Sequence, residues 1–327
     1  MTLSKLFLIV GFFPLLSLGC ATCSCPATPE SEKGPKTLLS WEIGPKKEED
    51  KDKEKEKKEN GKDKADKSDE ESKNKEKDKS EAEPEADKIQ TDRPDFTESS
   101  TTVGKGRVQL ESGYTYSRSK DAALQASHSY PEALLRVGLF ADWFELRIGQ
   151  NFSNTKKPGD DGSVFATSGG EDMYLGTKIA LTEQKKYLPE TALILQMTVP
   201  TGSNNLSAEK TLPGLNYLFG WEVNEFLNLG GSVQGNSTVD ENGHTYLELA
   251  QSITVGYKLT EKLGAYTEWF AFYPTGATSP DVTAQHYLDG GFTYKITPLF
   301  QLDIRGGKGL THSADDYFFG AGFAVKY

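Results

Sequence analysis

From Val108 onward, apolar and polar residues alternate along the chain. Val108, Leu110, Ser112, Tyr114 and Tyr116 interleave with Gln109, Glu111, Gly113, Thr115 and Ser117. This period of two predicts a strand with one apolar and one polar face. Ala133, Leu135, Val137 and Leu139 repeat the pattern against Glu132, Leu134, Arg136 and Gly138, and Phe144, Leu146, Ile148 and Phe152 against Glu145, Arg147, Gly149 and Asn151. Further strands are predicted near 171–181, 191–200, 215–223, 226–235, 244–259, 263–273, 284–296, 299–307 and 316–327, giving twelve in all.

The connections alternate too. Ala141-Asp142, Asn224-Glu225, Thr260-Glu261-Lys262 and Thr297-Pro298 read as tight turns. Between them fall longer polar loops near 118–128, 154–169, 201–214, 236–243, 274–283 and 308–315, and Thr182–Glu190 is a longer connection where a short one is due. An up-and-down barrel gathers short turns at one end and long loops at the other, as outer-membrane barrels do. Aromatic residues on the apolar face fit two interfacial bands. Phe144, Trp221, Tyr257, Tyr294, Phe300 and Tyr327 fall near the short turns; Tyr116, Phe152, Tyr217, Trp269, Tyr273 and Tyr317 fall near the long loops. The expected fold is therefore all-β: an antiparallel up-and-down transmembrane barrel of about twelve strands over residues 89–327. A soluble sandwich would also alternate, but its polar face would meet bulk water rather than opposed charges and glycine. In the last strand Phe319, Ala321, Phe323, Val325 and Tyr327 alternate outward, with Phe323, Val325 and Tyr327 as the ending that barrel-assembly machinery reads.

Composition hides this pattern. The chain has 327 residues, a net charge of −11 and 26% charged residues, which on average describes a soluble acidic protein. Much of the charge sits in residues 46–88, where 15 Lys and 18 Asp/Glu leave almost nothing apolar to offset the entropy of ordering. That segment is expected to be a disordered linker. Residues 1–19 read as a signal peptide, with Lys5 before an apolar run from Leu6 to Leu18 that Pro14 interrupts. Ser17-Leu18-Gly19-Cys20 makes Cys20 the lipidation candidate of the 20–45 segment, with plain cleavage nearby as the alternative. Within that segment, Leu38-Leu39-Ser40-Trp41-Glu42-Ile43 is apolar enough to dock, and the sequence does not say where. All three cysteines lie between positions 20 and 25, so no disulfide framework holds the body. A net acidic chain repels phosphate, which argues against nucleic acid as a partner. No metal-ligand spacing or phosphate loop is found, and no metal or cofactor is expected.

Thr91-Asp92-Arg93-Pro94-Asp95-Phe96-Thr97-Glu98-Ser99, Arg107-Val108-Gln109-Leu110-Glu111-Ser112-Gly113-Tyr114, Tyr130-Pro131-Glu132-Ala133-Leu134-Leu135-Arg136 and Trp143-Phe144-Glu145-Leu146-Arg147 carry a family likeness. Through them the chain resembles outer-membrane transporters labelled for the MetA pathway of phenol degradation, over roughly 89–327. The resemblance implies a β-barrel channel. It does not fix a phenolic substrate, and it carries over no catalytic residues.

The polar parity points Glu111, Glu132, Glu145, Asp172, Glu222, Glu248, Glu268, Asp289 and Asp303 into the lumen, with Arg136, Arg147, Lys178, Lys258, Lys295, Arg305 and Lys326. Arg136/Glu145 and Asp303/Lys295 are expected to pair. The acid excess predicts a weak cation preference for a selective pore; a salt-bridged structural lumen is the alternative. Ahead of the first strand, Asp92, Arg93, Asp95 and Glu98 suit either a lumen plug or a cap on the barrel mouth. The expected partners are outer-membrane lipids, barrel-assembly machinery and an unidentified small solute, with aromatic or other small hydrophobic compounds as candidates. The expected place is the outer membrane of a Gram-negative-type cell, with the charged linker in the periplasm. A structural anchor is the rival role. A barrel lipid hydrolase ranks lower: of His128, His244, His286 and His312, only His286 falls on the apolar face, with no serine opposite it.

Overall fold

A computed structural model describes residues 37–39, 88–119, 125–158 and 163–327. The signal peptide, Cys20, Ser40–Ile43 of the apolar stretch and nearly all of the charged linker lie outside the described residues. Among these residues, thirteen strands form one antiparallel sheet. They are β1 (Val108–Ser119), β2 (Gln125–Gly138), β3 (Phe144–Pro158), β4 (Val164–Gly170), β5 (Met173–Thr182), β6 (Glu190–Val199) and β7 (Leu212–Glu222). β8 (Leu227–Val239), β9 (Thr245–Lys258), β10 (Leu263–Thr275), β11 (Gln285–Thr297), β12 (Phe300–Gly309) and β13 (Tyr317–Lys326) follow.

Each strand from β5 to β13 pairs with its sequence neighbour, β13 returns to β1, and β2–β3 closes the ring. β3 meets β5 along its first half and β4 along its second, so β4 and β5 share one place in a twelve-strand barrel. The β1–β13 seam is continuous from Gln109↔Lys326 to Arg118↔Tyr317.

Short turns and long loops segregate to opposite ends. Residue types fix the turns locally: Asn224 Oδ1 accepts from the backbone N–H groups of Phe226 and Leu227, and Thr260 Oγ1 accepts from those of Lys262 and Leu263. Such side-chain bonds mimic a backbone turn. The irregular connection at 183–189 is present, with a Lys185↔Leu188 bridge. At this end Leu38 and Leu39 donate to the carbonyls of Ala180 and Leu181 at 2.9 and 2.8 Å.

Two expected loops are shorter than the pattern suggested. β3 runs to Pro158 and pairs with β4, so most of the 154–169 loop is a hairpin. β2 begins at Gln125 and pairs back to β1. Beyond the apolar belt both faces of a strand are polar, so alternation fades while backbone pairing continues.

The two faces differ as the parity requires. Ile304, Phe292, Ile253, Val233 and Leu195 are exposed on the outside, whereas Gln109, Glu111, Arg136, Glu145, Arg147 and Lys178 inside are fully buried. Polar side chains inside and aliphatic ones outside invert a soluble core, an arrangement suited to hydrocarbon around a closed strand ring. Tyr217 and Trp269 sit in mid-strand rather than near the long loops, so the upper aromatic band rests on Tyr116, Phe152, Tyr273 and Tyr317. Ile304→Lys, at the middle of β12, should destabilise the protein in a bilayer by about 2–4 kcal/mol, measured by urea unfolding from liposomes.

Candidate functional site: a charged lumen occupied by residues 88–104

The interior is filled by the segment that precedes β1. It enters at the short-turn end, where Ile89 donates its N–H to Pro298 at 2.8 Å and is fully buried. It leaves at the same end, where Val103 donates to the Glu145 carboxylate at 2.9 Å and Thr102 to the Asp142 carbonyl. Between these points it crosses the bore from the β2–β3–β5 wall to the β9–β10 wall.

Asp92 is the first centre. Its carboxylate lies 2.6 Å from Arg147 Nη1, 2.8 Å from Lys178 Nζ and 3.3 Å from Arg136 Nη1. The two arginines also reach Glu145, and Arg136 reaches Glu111 at 3.0 Å. Glu111 in turn accepts from the N–H groups of Asp92 and Arg93. Three cations and three carboxylates thus meet where water is excluded, and each buried charge has a partner.

Arg93 is the second centre. It pairs with Glu132 at 2.7 Å and with Asp303 at 3.2 Å. The guanidinium lies against Gly113 of β1 and Gly322 of β13, which face each other across the seam; a Cβ on either would overlap it. Glu132 reaches Arg93 because β2 carries a bulge between Tyr130 and Ala133, with Glu132 at φ 45°. A bulge re-aims a side chain in this way, and the left-handed backbone is uncommon for glutamate.

The tip of the segment is held by different chemistry. Glu268 accepts from the N–H groups of Phe96 and Thr97 at 2.5 and 2.8 Å. The Phe96 ring stacks on Phe270 at 4.7 Å and meets Phe272 edge-on. Tyr287, Phe318 and Ala314 complete an aromatic cluster beneath the long loops. Arg305 donates to the Pro94 carbonyl at 3.1 Å and lies over the Phe318 ring. Asp95 is within electrostatic reach of Asp289 and Glu268, and Asp289 accepts from the Tyr266 hydroxyl at 2.9 Å.

The segment therefore touches Glu111, Glu132, Arg136, Glu145, Arg147, Lys178, Glu268, Asp303 and Arg305. Others from the sequence set lie elsewhere. Asp172 holds the loop after β6, accepting from Gly202 and Ala208 N–H. Glu222 and Lys258 are exposed near the short turns, and Glu248 and Lys295 are half-buried; Lys326, by contrast, is buried and meets the start of the segment, with Nζ 3.5 Å from the Lys88 carbonyl. The expected Arg136/Glu145 pair is present at 2.8 Å. The expected Asp303/Lys295 pair gives way to Asp303–Arg93, because the inserted arginine offers two donors at the buried carboxylate. Residues 91–99 bond inward-facing side chains of both walls, from Glu111 and Arg147 to Glu268.

Sequence reasoning missed Phe96 with its aromatic cluster, and the glycine socket. Parity carried the first signal, since Phe270 and Phe272 share the inward phase of Glu268. It also missed that His128 lies on the outer face like His286. Tyr114 bonds its ring at 2.8 Å, while His286 packs between Trp269 and Tyr273.

A family described as "Putative MetA-pathway of phenol degradation" matches residues 91–327. The chain belongs to this family. No curated protein matches it. Among solved structures, an outer membrane channel from Pseudomonas putida F1 superposes with a TM-score of 0.55 at 13% identity, covering 69% of this chain and 97% of that one. The NanC porin gives a TM-score of 0.45 at 10% identity, with 67% and 100% coverage. The first of these likenesses shows the fold, that of an outer-membrane barrel, in agreement with the family resemblance of residues 91–147.

At the long-loop end, Asp240 ties two loops together. It accepts from the Thr278 hydroxyl and N–H and from the N–H groups of Asn242 and His244. The Thr278 hydroxyl, aided by those backbone donors and only partly opposed by desolvation, holds the carboxyl well below its ordinary range. A lowered folded pKa contributes stability above the unfolded value, near 4, and loses it only as pH falls through the folded value. Protease resistance of loops 240–244 and 276–284 should thus be flat from pH 7 to about 4, and Asp240→Ala should abolish it at pH 7. Gly322→Val should expel Arg93, break ion pairs worth about 3–5 kcal/mol when buried, and speed amide exchange in residues 89–104 while strand amides stay protected.

Proposed function

We propose that the protein is an outer-membrane channel for small solutes, held closed by residues 88–104. The carrying observation is that this segment contacts the wall through side chains and turns rather than by adding a strand. It can leave without opening the sheet, whose backbone pairing is complete around the ring. Withdrawal would uncover a bore lined by Glu111, Arg136, Glu145, Arg147, Lys178, Glu268, Asp289, Asp303 and Arg305. The family supports transport, and the outward apolar face supports contact with outer-membrane lipids after insertion by barrel-assembly machinery. With the long loops outside, the 46–88 linker lies in the periplasm.

The Phe270, Phe272, Tyr287 and Phe318 rings, which Phe96 covers while the segment is in place, support aromatic or other small hydrophobic solutes, since they offer an apolar stretch in a polar bore. A structural anchor is the second reading, favoured by the dense ion pairing around Asp92.

Deleting residues 89–100 should raise single-channel conductance severalfold in planar bilayers. Unchanged conductance in a folded barrel would favour the anchor. In a salt gradient the opened pore should prefer cations weakly; clear anion selectivity would overturn that preference.

A further inference from the structure

Strand register fixes which residues point outward. Among the described strand residues that outward phase carries no Asp or Glu. It does carry Arg118 of β1, Lys156 of β3 and Lys308 of β12, all toward the long loops. In a chain of net charge −11, fixed outward charge of positive sign alone is the reverse of what composition supplies.

The three lie in one row. Arg118 pairs with Tyr317 of β13 on one side and with Ala126 of β2 on the other, and Ala126 pairs with Lys156. Gly307 pairs with Phe318, so Lys308 falls beside Tyr317. Five adjoining strands, β12, β13, β1, β2 and β3, thus carry a basic row roughly 19 Å wide at about 4.8 Å per strand. Arg118 stands about 10 Å along it from either lysine. Lys156 and Lys308 are exposed. Asp316, ahead of β13, is an acid near Arg118, and its N–H donates to the Arg118 carbonyl at 2.8 Å.

Beneath the basic row come Gly306, Phe319, Tyr116, His128 and Asn154, and then Ile304, Ala321 and Tyr114. Phe319 is 59% and Ile304 56% exposed. Val108 and Arg118 stand at opposite ends of the outward phase of β1. With a rise of about 3.3 Å per residue and a tilt near 40°, they are about 25 Å apart across the membrane, the height of the apolar band of such barrels. The basic row therefore meets the headgroups of the leaflet on the long-loop side.

We infer that this row is a docking surface for an outer-leaflet lipid whose headgroup bears phosphate. Arg118 offers phosphate a guanidinium fork and the lysines offer point charges. The acyl chains lie down the aromatic and aliphatic rows beneath. A headgroup with two phosphates engages two of the cations at once. Exposed cations screened by salt hold a free anion weakly; a lipid adds the apolar contact, which makes it the occupant. The inference goes beyond the channel reading and shares with it only the placing of the long loops outside.

The test uses the full chain folded in detergent, titrated and read by native mass spectrometry. The probes are diphosphoryl lipid A, the same lipid stripped of its phosphates, and inorganic pyrophosphate. Diphosphoryl lipid A should bind saturably, and loss of its phosphates should weaken it roughly tenfold or more. Pyrophosphate at matched concentration should not displace it. Lys156→Gln and Lys308→Gln should each weaken it about fivefold, with barrel melting unchanged, whereas Lys262→Gln in the β9–β10 turn at the other end should have no effect. Equal affinity for the stripped lipid, displacement by pyrophosphate, a Lys262→Gln loss as large as the others, unaffected row variants or no saturable binding would each overturn the inference. The row lies outside and the conductance test reads the bore. Lipid binding with unchanged conductance therefore sinks the channel alone, and raised conductance without lipid binding sinks the docking surface alone.

Discussion

A sheet closed on itself has only two faces. Giving the outer one to hydrocarbon forces every polar side chain of the alternating pattern inward, where twelve strands leave too little room for each charge to keep its own water. The lumen must therefore neutralise itself. Asp92 among Arg136, Arg147 and Lys178, and Arg93 between Glu132 and Asp303, are that neutralisation. The inserted segment brings charges of both signs, each to the wall that lacks it.

This division of labour explains two kinds of contact along one short segment. Near the short turns the wall is ionic, and the segment answers with Asp92 and Arg93. Farther up, the inward positions of β10, β11 and β13 turn aromatic, and the segment answers with Phe96. Glu268 marks the change, taking backbone N–H groups rather than a cation. Beyond it, Glu171 and Asp172 take amide and backbone donors instead of cations.

The barrel itself was legible because period two is a one-dimensional signal: Glu111, Glu145 and Lys178 announced their side of the sheet without knowledge of neighbours. The alternation of turns such as Asn224-Glu225 with long loops gave the two ends. The lumen partners were not legible, because pairing across a bore depends on distance in space. Asp303 had Lys295 within reach on the next strand, yet takes an arginine 210 positions earlier. The segment's depth was likewise hidden, since Asp92 and Arg93 read equally well at a mouth or in a lumen. Above the membrane the signal failed for another reason. The β3–β4 hairpin has water on both sides, so its sequence had no face to declare.

The seat of Arg93 has a consequence for the order of events in a newly made chain. Its two glycines belong to β1 and β13, the first and last strands of the ring in chain order, and its two acids to β2 and β12. Until those ends of the chain meet, half of the seat is absent. The residues just ahead of β1 are made before the strands of the ring, yet they have no complete place to go until β13 arrives. A filled seat is thus a record that the ring has closed, and an incomplete barrel would keep its N-terminal segment outside.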